Sequence, residues 1–95
     1  MNKRYMVIEY NVTDEKIAHT EVFDTLEESR VYIEKSILSL YDSFIKHNHD
    51  EEVYEYFINK KNDYYRFSKY DDSYVVRWHI KDLNEEEESC EKNNN

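Results

Sequence analysis

The chain has 95 residues, enough for one domain and too few for two, and its 22 Asp and Glu against 13 Lys and Arg give a net charge of -9. That balance disfavours non-specific attraction to nucleic acid or to an anionic membrane. Glycine and proline are both absent, which excludes the phosphate loops, dinucleotide fingerprints and nucleophile elbows that need glycine backbone.

No apolar run approaches the roughly 18 residues of a membrane span, and the first ten residues lack the apolar stretch of a signal peptide. The single Cys90 has no internal disulfide partner. A cytoplasmic protein is expected, in the host cytoplasm if the source is a phage or virus, with no membrane contact and no cofactor.

In chain order, Met6, Ile8, Tyr10 and Val12 alternate with Val7, Glu9 and Asn11, the period-2 pattern of a half-buried strand. Thr13, Asp14 and Glu15 form a turn, and residues 17–23 resume an extended pattern, which completes a hairpin. Thr25 and Glu28 have the spacing of a capping box, so a helix begins there. Leu26, Ile33, Ile37, Leu40, Tyr41 and Phe44 make its apolar stripe, and Asn48 is a residue that can end it. Residues 50–60 carry acids at the front and lysines at the back, which predicts a second, shorter helix burying Val53, Tyr56 and Phe57. Residues 64–70 and 74–81 alternate around Asp71, Asp72 and Ser73, a second hairpin with Tyr65, Phe67, Val76, Trp78 and Ile80 inward.

The expected fold class is therefore α+β: two β-hairpins flank two helices, and a four-stranded, mainly antiparallel sheet carries the helices on one face. Residues 1–83 form the single domain. Residues 84–95, with consecutive glutamates at 85–88 and asparagines at 93–95, read as a disordered acidic tail.

Three groups of side chains invite a function. His47, His49 and Asp50 have metal-ligating chemistry, but His-x-His between two helices is more often a solvated loop with a helix cap, so no metal site is assigned. The acidic runs Glu27–Glu28, Asp50–Glu51–Glu52 and Asp71–Asp72 offer a surface to a basic protein, against the plainer reading of a solubilising face. Tyr64, Arg66, Tyr70, Arg77, His79 and Lys81 make a basic, aromatic patch on the second hairpin, suited to single-stranded nucleic acid, although outward strand positions are commonly polar. No serine or cysteine has a readable base beside it, and the chain is not expected to be an enzyme.

Small size, acidity, lack of glycine and abundance of tyrosine together resemble small phage or viral inhibitors of the anti-CRISPR and DNA-mimic type. The resemblance implies an acidic protein-binding module that competes with nucleic acid for a basic groove on a host protein. A structural or adaptor component of a larger assembly, and a single-stranded nucleic-acid-binding protein using the second hairpin, are the alternatives.

Overall fold

The computed structural model describes residues 4–48 and 53–84. Five strands and one helix follow in the order β1 (Tyr5–Asn11), β2 (Lys16–Phe23), α1 (Leu26–Asn48), β3 (Tyr54–Asn59), β4 (Tyr64–Lys69) and β5 (Val75–Asp82). The strands form one sheet in the spatial order β2-β1-β5-β4-β3, antiparallel at every junction. The class is the expected α+β, with one strand more and one helix fewer than the sequence pattern predicts.

The correction lies at residues 54–59. Tyr54, Tyr56 and Ile58 alternate with Glu55, Phe57 and Asn59, and these aromatic and β-branched residues favour a pleated surface over a helix. The charges flanking the segment resemble helix-end charges, but the edge of β4 offers a full ladder, and pairing there wins. Of the three residues expected on a buried helix face, Val53 packs against the core, whereas Tyr56 and Phe57 are 39% and 46% exposed; the neighbouring Tyr54 is the buried one.

Three hairpin turns form without glycine by placing one residue each in the left-handed region: Glu15 (φ 54°), Asp63 (φ 51°) and Asp72 (φ 58°). Two of them share a device. The Asn11 side-chain oxygen accepts from the Asp14 N–H at 3.0 Å, and the Asn59 oxygen accepts from the Asn62 N–H at 3.2 Å, in each case one residue before the left-handed position. The third turn closes with the Asp72 N–H on the Lys69 carbonyl at 3.0 Å.

Helix α1 starts where its cap predicts. The Thr25 hydroxyl accepts from the Glu28 N–H at 3.1 Å and donates to the Glu28 carboxylate at 3.0 Å. Ile33 and Ile37 of its stripe are fully buried against Val7, Tyr54, Tyr65, Phe67, Val76 and Trp78. Tyr41 and Phe44 add ring contacts: Tyr41 lies edge-on to Tyr56 at 5.0 Å, and Phe44 lies 5.3 Å from Phe67. Each fully buried aliphatic side chain contributes about 1.5–3 kcal/mol relative to exposure.

An ion pair fastens the helix to the β3–β4 turn. Arg30 donates from Nε to one Asp63 oxygen at 2.9 Å and from Nη2 to the other at 3.1 Å, and the Tyr65 hydroxyl donates to the first oxygen at 2.9 Å. The hydrogen bonds from Arg30 hold the Asp63 carboxyl below its ordinary pKa, while burial, reinforced by Asp63, holds the Tyr65 phenol protonated. Lys60 reaches Glu34 at 3.3 Å beside this pair.

Candidate binding face

Because successive side chains of a strand point to opposite faces, the registers fix what each face carries. The helix covers the face holding Val7, Trp78, Tyr65, Phe67 and Tyr54. Among the described residues no element lies over the other face.

Across that open face one row crosses all five strands. Ile17 of β2 is opposite Tyr10 of β1, Tyr10 is opposite Arg77 of β5, Arg77 is opposite Arg66 of β4, and Arg66 is opposite Phe57 of β3. Beside it run Thr20, Ile8 and His79, with Tyr64 on β4, and then Val22, Met6 and Lys81. The face is mainly apolar on β1 and β2, basic on β4 and β5, and mixed on β3, where Glu55 and Asn59 flank Phe57. Ile17 is 57% exposed and Phe57 46%.

The centre of the row departs from what stability alone favours. Like charges directly opposite across an antiparallel pair repel, yet Arg66 and Arg77 face each other. Each is steadied locally. Arg66 donates from Nη2 to Asp72 at 2.6 Å, and the Arg77 guanidinium sits over the Tyr64 ring, 4.9 Å from its centroid. Both Nε donors are shielded from solvent with no acceptor among the described residues. Those enclosed Nε atoms are closed to an outside anion, which can approach the pair only at the outer guanidinium nitrogens. The imidazole of His79, exposed at the edge of this pair, is held below its ordinary pKa by partial desolvation and then by the Arg77 charge.

Five residues of the sequence-derived patch, Tyr64, Arg66, Arg77, His79 and Lys81, thus share one face. Tyr70 lies beyond the end of β4, in the turn to β5, and is 62% exposed. Tyr10, Ile17 and Phe57 were absent from that patch. Their signal was present in β1, where the more apolar set Met6, Ile8 and Tyr10 points away from the helix, while the other set mixes Tyr5 and Val7 with Glu9 and Asn11. A period-2 pattern shows that one face is apolar but not which side the helix takes.

The acidic residues are divided. Glu27 and Glu28 occupy the first turn of α1, where the helix dipole favours them, and Glu28 is engaged by Thr25. Asp71 and Asp72 lie at the opposite end of the sheet, where Asp71 accepts from the Ser73 N–H and Asp72 holds Arg66. This second pair shares its end with Asp14 and Glu15, because Val12 N–H bonds the Val75 carbonyl at 2.9 Å and Val75 N–H bonds the Thr13 hydroxyl at 2.9 Å. Asp50, Glu51 and Glu52 lie outside the described residues.

At the α1 end, a cleft of about 380 Å³ is lined by Glu21, Val22, Phe23, Asp24, Glu28 and Tyr32. Among the described residues no group of three or more His, Cys, Asp or Glu is placed to hold a metal ion. Of the three metal-type residues, His47 is exposed near the end of α1, and His49 and Asp50 lie outside the described residues. No described helix is long and apolar enough to cross a membrane. Comparison with known proteins gives no match: no family model fits the chain, and no curated protein or solved structure is similar to it.

Proposed function

We propose that the chain is a protein-binding module without reaction chemistry, and that its working surface is the open sheet face centred on Arg66 and Arg77. The observation that carries this reading is the opposed pair of partly exposed arginines, set in a row with Ile17, Tyr10 and Phe57 on a face that no described element covers. Aromatic and arginine side chains are the usual anchors of protein interfaces. The complementary partner presents carboxylates flanked by apolar groups. Single-stranded nucleic acid also offers anions and stacking surfaces. A polyanion, however, would run past the carboxylates of Asp14, Glu15, Asp71 and Asp72 on a chain of net charge -9, which favours a discrete protein carboxylate.

The second reading is an acidic inhibitor that competes with nucleic acid for a basic groove, and the observation favouring it is the gathering of Asp14, Glu15, Asp71 and Asp72 at one end. Capture of partners from the native cells separates the two. Under the first reading, Arg66→Ala with Arg77→Ala abolishes retention, Tyr10→Ser weakens it, and neutralising Asp14, Glu15 and Asp71 leaves it intact. The reverse pattern establishes the inhibitor. Binding of labelled single-stranded DNA at low salt, lost in the arginine variant, would replace both.

A further inference from the structure

We infer that the outer edge of β2 is a self-association surface, at which two copies of the chain pair their β2 strands antiparallel about a two-fold axis at Thr20 and continue one sheet across both. The inference goes beyond the reading of the open face and does not rest on it.

The backbone directions on β2 follow from two hydrogen bonds of its neighbour. The Leu83 N–H on the Arg4 carbonyl and the Val12 N–H on the Val75 carbonyl put the even-numbered residues of β1 in hydrogen-bonded pairs with β5. Tyr5, Val7 and Glu9 therefore bond to β2, opposite Phe23, Glu21 and His19. That leaves the N–H and C=O groups of Thr20 and Val22 pointing outward, on a strand that is outermost in the sheet and exposed from Lys16 to Glu21. Among the described residues no strand lies beyond it. A row of such groups is a template for another strand. The bulge in this hairpin falls at the other end of β2, where the register shifts between Glu9 and Tyr10, so residues 19–23 keep a regular pairing.

Side-chain complementarity selects a second copy as the occupant. In a two-fold antiparallel pair, the residue after the axis in one copy lies opposite the residue before it in the other. An axis at Glu21 would oppose two carboxylates, and one at His19 would oppose two imidazoles and leave Glu21 without a basic group opposite it. An axis at Thr20 sets each His19 opposite the second copy's Glu21, Ala18 opposite Val22 and the two Thr20 hydroxyls opposite each other. The same axis turns the outward groups of Thr20 and Val22 into ladder bonds. Within one copy His19 Nε2 already lies 3.8 Å from Glu21, both side chains about half exposed, so the pairing joins two such pairs into a ring of four groups. Apolar surface lies beside the seam. A two-fold axis normal to the sheet puts both helices on one side, where the cleft lined by Glu21, Val22 and Phe23 adjoins another of about 350 Å³ lined by Phe23, Val31 and Tyr32. Closing these clefts adds an apolar component that an edge ladder alone lacks.

Sedimentation equilibrium of the full chain tests this, in about 0.15 M salt to screen the net charge of -9 on each copy. As concentration rises to about 1 mM, the wild type should move from the 11.8 kDa mass of one chain toward twice that value. Glu21→Lys should weaken association about tenfold, and adding His19→Glu to it should restore association, because the exchanged charges meet again across the axis. Thr20→Pro removes an outward N–H without touching the β1 ladder and should leave a monomer whose circular dichroism matches the wild type. In hydrogen exchange at low and high concentration, the Thr20 and Val22 amides should become protected together, while those of His19 and Glu21, already bonded to β1, change little. A monomer at every concentration overturns the inference, even if β2 then takes a strand from another protein. A dimer that Glu21→Lys does not weaken, or whose Thr20 and Val22 amides exchange as in the monomer, overturns it as well. Should Thr20→Pro fail to fold, the charge exchange and the amide pattern decide without it.

Discussion

The two faces of the sheet are built from the same strands and do opposite things. On the covered face, Trp78, Tyr65 and Phe67 are at most 1% exposed and meet a helix stripe that matches them, and the charges at its margin are paired, Arg30 with Asp63 and Lys60 with Glu34. On the open face, the apolar groups of β1 are half-exposed and two arginines confront each other. Burial of apolar area accounts for most of the first face, where Trp78 Nε1, in the buried cluster, has no acceptor among the described residues. The second keeps an opposed arginine pair that folding does not require, and that contrast is why we propose the open face as the binding surface.

The contrast breaks most sharply by truncation. Trp78→Ala should cost about 3–5 kcal/mol, and Ile37→Ala about 2–5 kcal/mol, because each removes apolar area and leaves a cavity. Urea unfolding followed by circular dichroism measures both, and a loss below about 0.5 kcal/mol at either site would mean that the helix does not pack there.

The margin of the covered face responds to acid. Asp63 has a lowered folded pKa, so its contribution is complete above the unfolded Asp value of about 3.9 and is lost as pH falls through the lower folded value. The wild type should therefore lose stability steeply below that pH. Asp63→Asn should be less stable at neutral pH and show a shallower acid limb in a series of melting curves. Equal acid slopes in the two proteins would remove the Arg30 pair from the account.

A smaller effect belongs to neither face and scales the backbone. Glu15 sits at φ 54° with no glycine to relieve it, so Glu15→Gly should raise stability by about 0.5–1 kcal/mol in thermal unfolding. Asp72→Gly should gain less, since it also releases Arg66. The smallest effect sharpens the comparison most. Phe57→Ala, although it removes a whole ring, should stay within about 0.5 kcal/mol of wild type, as expected for an exposed site, while weakening partner capture.

Much of this was legible in residue order. The Thr25–Glu28 cap, the stripe through Ile33 and Ile37, and both hairpins around 13–15 and 71–73 follow from local signals, and each lies within a residue or two of its expected bounds. The helix expected at 50–60 failed because terminal charge is a weak cue, whereas pairing with β4 is a long-range one that no local window contains. The candidate patch on the second hairpin was readable because Arg66, Arg77, His79 and Lys81 alternate with core residues. Its continuation through Tyr10, Ile17 and Phe57 depends on β5 pairing with β1 and β4 with β3, which sequence order does not display. The Arg30–Asp63–Tyr65 cluster was invisible for the same reason, its first two members lying 33 residues apart.

The junction of β1 with β5 also decides how the molecule comes apart under tension. The two strands run antiparallel with Tyr5 opposite Asp82, so residues 4 and 83 leave the sheet at the same corner. A force applied between those residues meets the hydrogen bonds one rung at a time, as a zipper does, and never loads them in parallel. A translocating unfoldase that grips the chain beyond residue 83 while residue 4 is held should peel β5 from β1, parting the β1–β2 hairpin from the β3–β4–β5 meander. The strand carrying Arg77 would leave its neighbour first, and the open face would be lost in the same step that uncovers Ile33 and Ile37, which pack against Val7, Val76 and Trp78 of those two strands.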